Sequence, residues 1–243
     1  MEPPVVKRPK FSLEEGAPKK EKPRDAPREK KFEVKQTVLI EEEKEIEVKV
    51  SNVFTGNTFA DLPISDKLKQ ILKEGNFDKL TSIQKKGIPV IMDNQNVVLK
   101  SETGSGKTLA YLVPLIEQLS KYSLDTEKIS RDKGTYAIIF SPTRELCCQI
   151  ERELAKLQKL FYYIVSTSIM GGEKPKKEKE RLRKGCTVVI ATPGRFLYHL
   201  QNTEHIALDR LQTIIIDEAD RMLDMGFERE MESCLQQIKK RVP

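Results

Sequence analysis

The fold class this sequence predicts is α/β, a parallel sheet covered by helices on both faces. Three observations carry it. Strand-length runs such as Ala137-Ile138-Ile139-Phe140 and Val188-Val189-Ile190 are apolar at every position, which suits strands buried on both faces better than half-exposed ones. From Phe59 onward such runs alternate with stretches of helical length. A glycine-rich loop, Ser101-Glu102-Thr103-Gly104-Ser105-Gly106-Lys107-Thr108, follows one apolar run and opens a helix.

The elements are expected in this order. Residues 1–31 hold six prolines, ten Lys/Arg and six Asp/Glu, and cannot bury enough apolar surface to offset their ordering entropy, so a disordered charged tail is expected over 1–55. Within it, Lys7-Arg8 and Lys19-Lys20-Glu21-Lys22 are separated by ten residues, a spacing shared by two-part nuclear import signals and by ordinary basic tails. Ile46, Val48 and Val50 alternate with charges and allow a short strand. Helices are expected near 65–75 and 81–92, then a strand near 96–101 from Val97-Val98-Leu99. The helix opened by the glycine loop runs near 107–120. A polar stretch over 121–134, ending in Gly134, reads as a surface loop. Strands near 135–141, 164–169 and 187–191 alternate with helices near 143–160, 175–184 and 194–201. The run Leu211–Ile216 forms a last strand near 211–217, and a helix follows near 228–240.

With 243 residues, a charged fraction of 33% and a hydrophobic fraction of 38%, the chain suits one sizeable core with polar extensions. It has no apolar run of membrane-spanning length and no signal-peptide core. Cys147, Cys148, Cys186 and Cys234 lack metal-ligand spacing and are expected as reduced thiols. A formal charge of +6 leans towards a polyanionic partner.

Two local patterns carry chemistry. Gly104 and Gly106 let the backbone curl so that successive N–H groups point inward, and the following helix adds its positive end, which makes an anion site. Thr103, Gly104, Ser105 and Gly106 would line it, Lys107 would place its ammonium on β- and γ-phosphates, and Thr108 would give its hydroxyl to Mg2+. The first position of the usual pattern is glycine or alanine; here it is Ser101. Asp217-Glu218-Ala219-Asp220 then follows an apolar strand. A carboxylate at a strand end can hold Mg2+, and its neighbour can orient and deprotonate an attacking water, which casts Asp217 as metal ligand and Glu218 as base.

Together these motifs resemble the DEAD-box ATP-dependent RNA helicases, and further motifs fall in that family's order from about Phe59 to about Lys240. Thr81-Ser82-Ile83-Gln84, with Phe77 seven residues before Gln84 and Phe59 upstream, resembles the adenine-reading Q motif, about 57–85. The family's glycine before Phe77 is Asn76 here and its proline is Leu80. A glutamine amide can donate and accept at once to an adenine edge, and a phenylalanine can stack on the base. Pro142-Thr143-Arg144-Glu145-Leu146 with Gln149 resembles motif Ia, Gly171-Gly172 the GG motif, and Thr192-Pro193-Gly194-Arg195 motif Ib. The resemblance implies that Arg144, Gly171, Gly172, Thr192 and Arg195, with Pro142, Gln149 and Pro193, hold an RNA backbone with little sequence preference, and that Asp220 couples hydrolysis to strand release. The basic stretch Gly171–Gly185 and Thr81–Pro89 resemble the branch acting in nucleolar assembly of the large ribosomal subunit, which implies a pre-ribosomal RNA partner and a nuclear, nucleolar location.

The resemblance further implies that residues 56–243 form a RecA-like P-loop domain, the first of two, without its last strand or strands and without the second domain needed for activity. A strand would then be wanting between the phosphate-loop strand and the Asp217 strand, so 97–101 and 211–217 should not pair, and this chain alone should hydrolyse little ATP. One rival reading, an ATP-gated RNA clamp or assembly scaffold, uses the same residues; a second, a DNA translocase of related architecture, is opposed by the Q motif and the Asp217-Glu218-Ala219-Asp220 spelling. A metabolic P-loop kinase would need an acceptor pocket for which the sequence offers no residues.

Overall fold

The computed structural model describes residues 44–47, 54–203 and 206–242. The tail to residue 43, with its expected disorder and its basic signal, lies outside the described residues. The chain order is β1 (Lys44–Glu47), β2 (Phe54–Thr58), α1 (Asp66–Glu74), β3 (Lys79–Thr81), α2 (Ser82–Met92), β4 (Val97–Lys100), α3 (Lys107–Asp125), β5 (Ala137–Phe140), α4 (Arg144–Leu157), β6 (Ser166–Ile169), α5 (Pro175–Arg183), β7 (Val188–Ala191), α6 (Pro193–Asn202), β8 (Thr213–Ile216), α7 (Ala219–Asp224) and α8 (Glu228–Lys239).

The main sheet is parallel in the order β6-β7-β5-β8. The apolar runs in β5 and β7 do what continuous hydrophobicity requires. Ala137, Ile139, Val188 and Ile190 face a core built with α1, α2, α3 and α4. Ile138, Phe140, Val189 and Ala191 face a second core with Phe196 and Leu200 of α6 and Met231, Cys234 and Ile238 of α8. All eight of these strand residues are fully buried. Each large aliphatic side chain removed from water in this way contributes roughly 1.5–3 kcal/mol. The expected parallel sheet sandwiched by helices is therefore what forms.

β4 and β8 are not paired, as expected. β4 instead pairs in parallel with β1, in register from Lys44 opposite Val97 to Glu47 opposite Lys100. β1 includes Ile46 of the expected strand; Val48 and Val50 lie outside the described residues. β8 takes β5 on one side, and Ile214 and Ile216 stand half-exposed.

Three local features differ from expectation. The polar stretch 121–134 is helical to Asp125, because Tyr122 packs edge-on against buried Tyr136 at 5.7 Å and holds the last turn of α3 to the core. β2 and β3 form a short antiparallel pair that apolar patterning does not reveal. The six-residue α7 sits directly behind the acidic residues, anchored by buried Met222. Buried Glu117 joins α3 to the start of α1, accepting from the Ser65 amide at 3.0 Å and the Ser65 hydroxyl at 2.7 Å. The four cysteines are free, and burial pushes the Cys147 and Cys234 thiols up to about 12 and Cys186 to about 11, which leaves these three unreactive.

Candidate functional site

The predicted site residues cluster at the carboxyl ends of the parallel strands, where open α/β sheets place their ligands. The glycine loop leaves β4 and enters α3. Gly104 and Gly106 take φ values of 78° and 91°, left-handed conformations that glycine adopts without strain. The space where Gly104 would carry a Cβ is empty to 4 Å, so the curl is open on that side. The Ser101 and Ser105 hydroxyls bond at 2.6 Å across the loop, so serine at the first position closes the loop rather than disturbing it. Lys107 Nζ donates to the Ser101 carbonyl at 2.7 Å.

The acidic residues reach this loop through two side-chain contacts. The Tyr111 hydroxyl of α3 donates to Asp217 Oδ2 at 3.1 Å, and Lys107 Nζ lies 3.9 Å from Glu218 Oε1. Burial, reinforced by the Glu218 charge, raises the Asp217 carboxyl above its usual range despite the Tyr111 hydrogen bond. Burial, with the charge of Asp217, also holds the Tyr111 phenol well above 10. Glu218 stands at φ 52° and ψ 50°, a left-handed backbone that costs a non-glycine residue about 1 kcal/mol or more and that turns the chain from strand to helix. The Asp217 amide continues the β5–β8 ladder onto Phe140. Asp220 is exposed and accepts from the Arg221 amide at 2.9 Å.

The donor set fits magnesium held largely by phosphate. Among the described residues no group of three or more His, Cys, Asp or Glu side chains could cage a metal. One half-buried carboxylate, Asp217, and the half-buried Thr108 beside an anion-binding curl match the way Mg2+ is usually shared between one or two protein oxygens and a nucleotide.

The residues expected to read a base lie on α2 and in the segments before it. Gln84 is 3% exposed and both ends of its amide are engaged. Its Oε1 accepts from the Thr81 amide at 2.9 Å, completing a capping box that starts α2, and its Nε2 donates to the Gly106 carbonyl at 3.0 Å. Gln84 thus ties α2 to the phosphate loop. The Thr-x-x-Gln spacing was the available signal for that box. Phe59 is 3% exposed and packs in the core. Phe77 is half-buried, with the Lys156 ammonium 5.9 Å from its ring centre.

The remaining predicted residues follow β5, β6 and β7. Thr143 caps α4, accepting from the Leu146 amide at 3.3 Å. Arg144 at the first turn leans over Gly172, and a Cβ there would displace its guanidinium. Gly171 and Gly172 are both left-handed, at 74° and 84°. Arg195 of α6 closes on the same turn, its Cδ 3.8 Å from where a Gly171 Cβ would stand. Thr192 ties β7 to β6 through its amide and the Ile169 carbonyl at 3.1 Å, and Pro193 starts α6. Two arginines thus flank a glycine turn. Pro142 is buried and Gln149 is exposed on α4.

Sequence reasoning missed the group beneath that turn. Glu178 of α5 is fully buried and accepts three hydrogen bonds: from the Gly171 amide at 3.1 Å, Arg195 Nε at 2.6 Å and His199 Nε2 at 2.9 Å. His199 Nδ1 meets the Thr203 hydroxyl at 2.9 Å. Burial, the largest influence, pushes the Glu178 carboxyl up, yet the three donors together hold it below its usual value. Burial lowers His199, against the pull of Glu178. The imidazole is therefore neutral, with its proton on Nε2 facing the carboxylate.

A sequence model of the DEAD/DEAH box helicase family matches residues 81–243. A Dictyostelium discoideum protein named ATP-dependent DNA helicase DDX31 is 40% identical over 207 residues, covering 85% of this chain and 22% of its own length. A Botryotinia fuckeliana protein named ATP-dependent RNA helicase dbp7 is 41% identical over 186 residues, covering 76% of this chain and 21% of its own length. The crystal structure of a DEAD box protein from Methanococcus jannaschii aligns with a TM-score of 0.64 at 34% identity, over 74% of this chain and 46% of that one. The chain spans about a fifth of the length of these curated relatives.

Proposed function

The chain belongs to the DEAD/DEAH box helicase family, and from that premise we propose that it binds Mg2+-ATP and single-stranded RNA as the nucleotide-holding domain of an ATP-driven RNA helicase. The observation that supports this best is the pair of contacts from α3 to the acidic residues, Tyr111 to Asp217 and Lys107 to Glu218, which brings a phosphate curl and a carboxylate doublet into one site.

Each residue then has a defined task. The Gly104–Gly106 curl offers backbone N–H groups to phosphate, and Lys107 exchanges the Ser101 carbonyl for a phosphate oxygen. Thr108 and Asp217 would hold Mg2+, which when bound offsets phosphate charge. Glu218 lies beside the Lys107 ammonium, placed to accept a proton from an attacking water. Asp220, exposed on α7, is the residue through which hydrolysis and strand release would be coupled. Gln84, bonded to the Gly106 carbonyl, would pass the state of the base site to the phosphate curl, and Phe77 is the aromatic left open for stacking. Arg144, Gly171, Gly172, Thr192 and Arg195 would hold the sugar-phosphate backbone, with Pro142, Gln149 and Pro193 shaping the path. Contacts of this kind carry no sequence information.

Titration calorimetry with Mg2+ and a non-hydrolysable ATP analogue tests the nucleotide half. Lys107→Ala should abolish the heat of binding, and binding left intact would sink the assignment. Strand displacement with Glu218→Gln as control separates a helicase from an ATP-gated clamp. A DNA substrate is a second reading, favoured by the names of the DDX31 relatives, which call those proteins DNA helicases. Competition between oligouridylate and oligothymidylate for stimulation of ATP hydrolysis decides between them. The finer reading, pre-ribosomal RNA in the nucleolus, is supported by the lysine-rich α5 beside the glycine turn. A fluorescently tagged protein excluded from nucleoli would remove that support.

A further inference from the structure

The buried carboxylate of Glu178 sits where a phosphate-gripping site would be expected to avoid negative charge. It lies directly beneath Gly171 and Arg195, two of the groups proposed to hold the RNA backbone. Simple Coulomb attraction says that an anion there should weaken RNA binding, because it opposes the incoming phosphates. The geometry says otherwise.

Glu178 uses Arg195 Nε alone, at 2.6 Å. The guanidinium plane is also pinned against Tyr198, with Cζ 4.8 Å from the ring centre. Among the described residues neither terminal nitrogen of Arg195 has a hydrogen-bond partner, so both remain available to a phosphate. The same carboxylate holds the Gly171 amide, fixing the left-handed glycine turn against which Arg144 also leans. His199 and Thr203 complete the support, so Glu178 is itself held in one orientation. A long flexible arginine ordered before binding loses less entropy when it meets a phosphate.

We propose that Glu178 is a positioning residue for nucleic-acid binding: through Gly171, Arg195 and His199 it locks the glycine turn and the Arg195 fork into one phosphate-accepting arrangement. This rests on the reading of Arg144, Gly171, Gly172 and Arg195 as an RNA-backbone site.

The two accounts predict opposite signs. Glu178→Gln keeps the side chain's size and removes its charge. If Glu178 only neutralises Arg195, RNA should bind more tightly. If it positions Arg195, binding should weaken by roughly fivefold, about what one well-aligned contact is worth. The probe is a fluorescein-labelled uridine decanucleotide, titrated at fixed ionic strength by fluorescence anisotropy. Affinity for a fluorescent ATP analogue, read in parallel, should be unchanged. In a mutant cycle, Glu178→Gln combined with Arg195→Ala should bind no more than about twofold worse than Arg195→Ala alone, because the two act as one unit.

A second pair of variants covers the case in which Glu178→Gln does not fold. His199→Leu removes one donor and should weaken RNA binding, whereas His199→Gln, whose amide can still donate, should restore it. Tighter or unchanged RNA binding in Glu178→Gln, or equal behaviour of the two His199 variants, overturns the positioning role while leaving the RNA site standing. If Arg144→Ala and Arg195→Ala both bind RNA as tightly as the parent sequence, the RNA site itself is wrong and the positioning role falls with it.

Discussion

Gly106 is the residue on which the nucleotide loop turns, and two independent constraints act on it. Its φ of 91° strains any L side chain, and a Cβ there would stand 2.5 Å from Gln84 Nε2. Gly106→Ala must therefore either flatten the loop or push Gln84 off the Gly106 carbonyl. The expected outcome is loss of ATP binding by about tenfold or more, measured by calorimetry. The contrast is Gly104→Ala, which also has positive φ but meets no atom within 4 Å, and so should lose less. The residue types of the phosphate and acidic motifs were legible in the sequence, because each must present a fixed chemistry at a fixed spacing. What those residues do with their second hydrogen bond was not. Gln84 was readable as an amide but not as the strut between α2 and the loop, and Phe59 was readable as an aromatic but not as core. Glu178 and His199 were not readable at all, since 21 positions separate partners that only α5 and α6 packing brings together. That pair also makes a pH prediction. His199 is held neutral below its ordinary value of 6.5, so as the pH falls through 6.5 the unfolded chain takes up a proton that the native chain does not. Stability conferred above 6.5 is lost on acidification. Urea midpoints should fall between pH 7.5 and 5.5, and the fall should shrink in His199→Gln.

At the level of elements, strands and helices were read from opposite kinds of signal. β5 and β7 were visible because four consecutive apolar residues suit a strand covered on both faces and fit little else of that length. α2 and α4, expected near 81–92 and 143–160, each begin at a capping threonine, Thr81 and Thr143. β2, β3 and α7 were not, being too short for a period to show. The end of α3 was misplaced because its last turn is polar in sequence and is retained by the tertiary contact of Tyr122 with Tyr136. Caps make a quantitative test. Thr143→Ala deletes the hydrogen bond to the Leu146 amide and should destabilise the protein by about 1 kcal/mol in urea denaturation. It should also loosen Arg144, the next residue, so RNA affinity should drop more than stability alone explains. β8 makes a different one. It pairs with β5 alone among the described residues and leaves Ile214 and Ile216 at 37% and 43% exposure. An apolar strand edge of this kind recruits other edges. Ile216→Lys should lower concentration-dependent light scattering without moving the urea midpoint by more than a few tenths of a kcal/mol.

At the scale of the whole molecule the sheet separates two tasks. In the proposed reading, loops following β4, which pairs with β1, and β8 make the nucleotide side, and loops following β5, β6 and β7 make the RNA side, with β5 paired to both β7 and β8. The link between β4 and β8 is different in kind. Among the described residues these strands share no backbone hydrogen bonds, and α3, which the phosphate curl opens, meets the acidic doublet through side-chain contacts from Tyr111 and Lys107. A ligand that engages both sides at once therefore adds a cross-link that the backbone does not supply. Any ligand bound only by the native state stabilises it by RT ln(1 + [L]/Kd), about 2.7 kcal/mol at a hundredfold excess over Kd. For a domain of this size that corresponds to a rise in melting temperature of roughly 5–10 °C. Mg2+ with a non-hydrolysable ATP analogue should produce such a rise in differential scanning fluorimetry. Tyr111→Phe keeps the ring and deletes only the hydroxyl that holds Asp217, so it should cut the rise without abolishing it. Lys107→Ala should remove it. The uridine decanucleotide alone should raise the melting temperature of Lys107→Ala as much as that of the parent sequence, because its proposed site follows the other strands. Equal loss of both responses in Lys107→Ala would mean that the two sides are not separate.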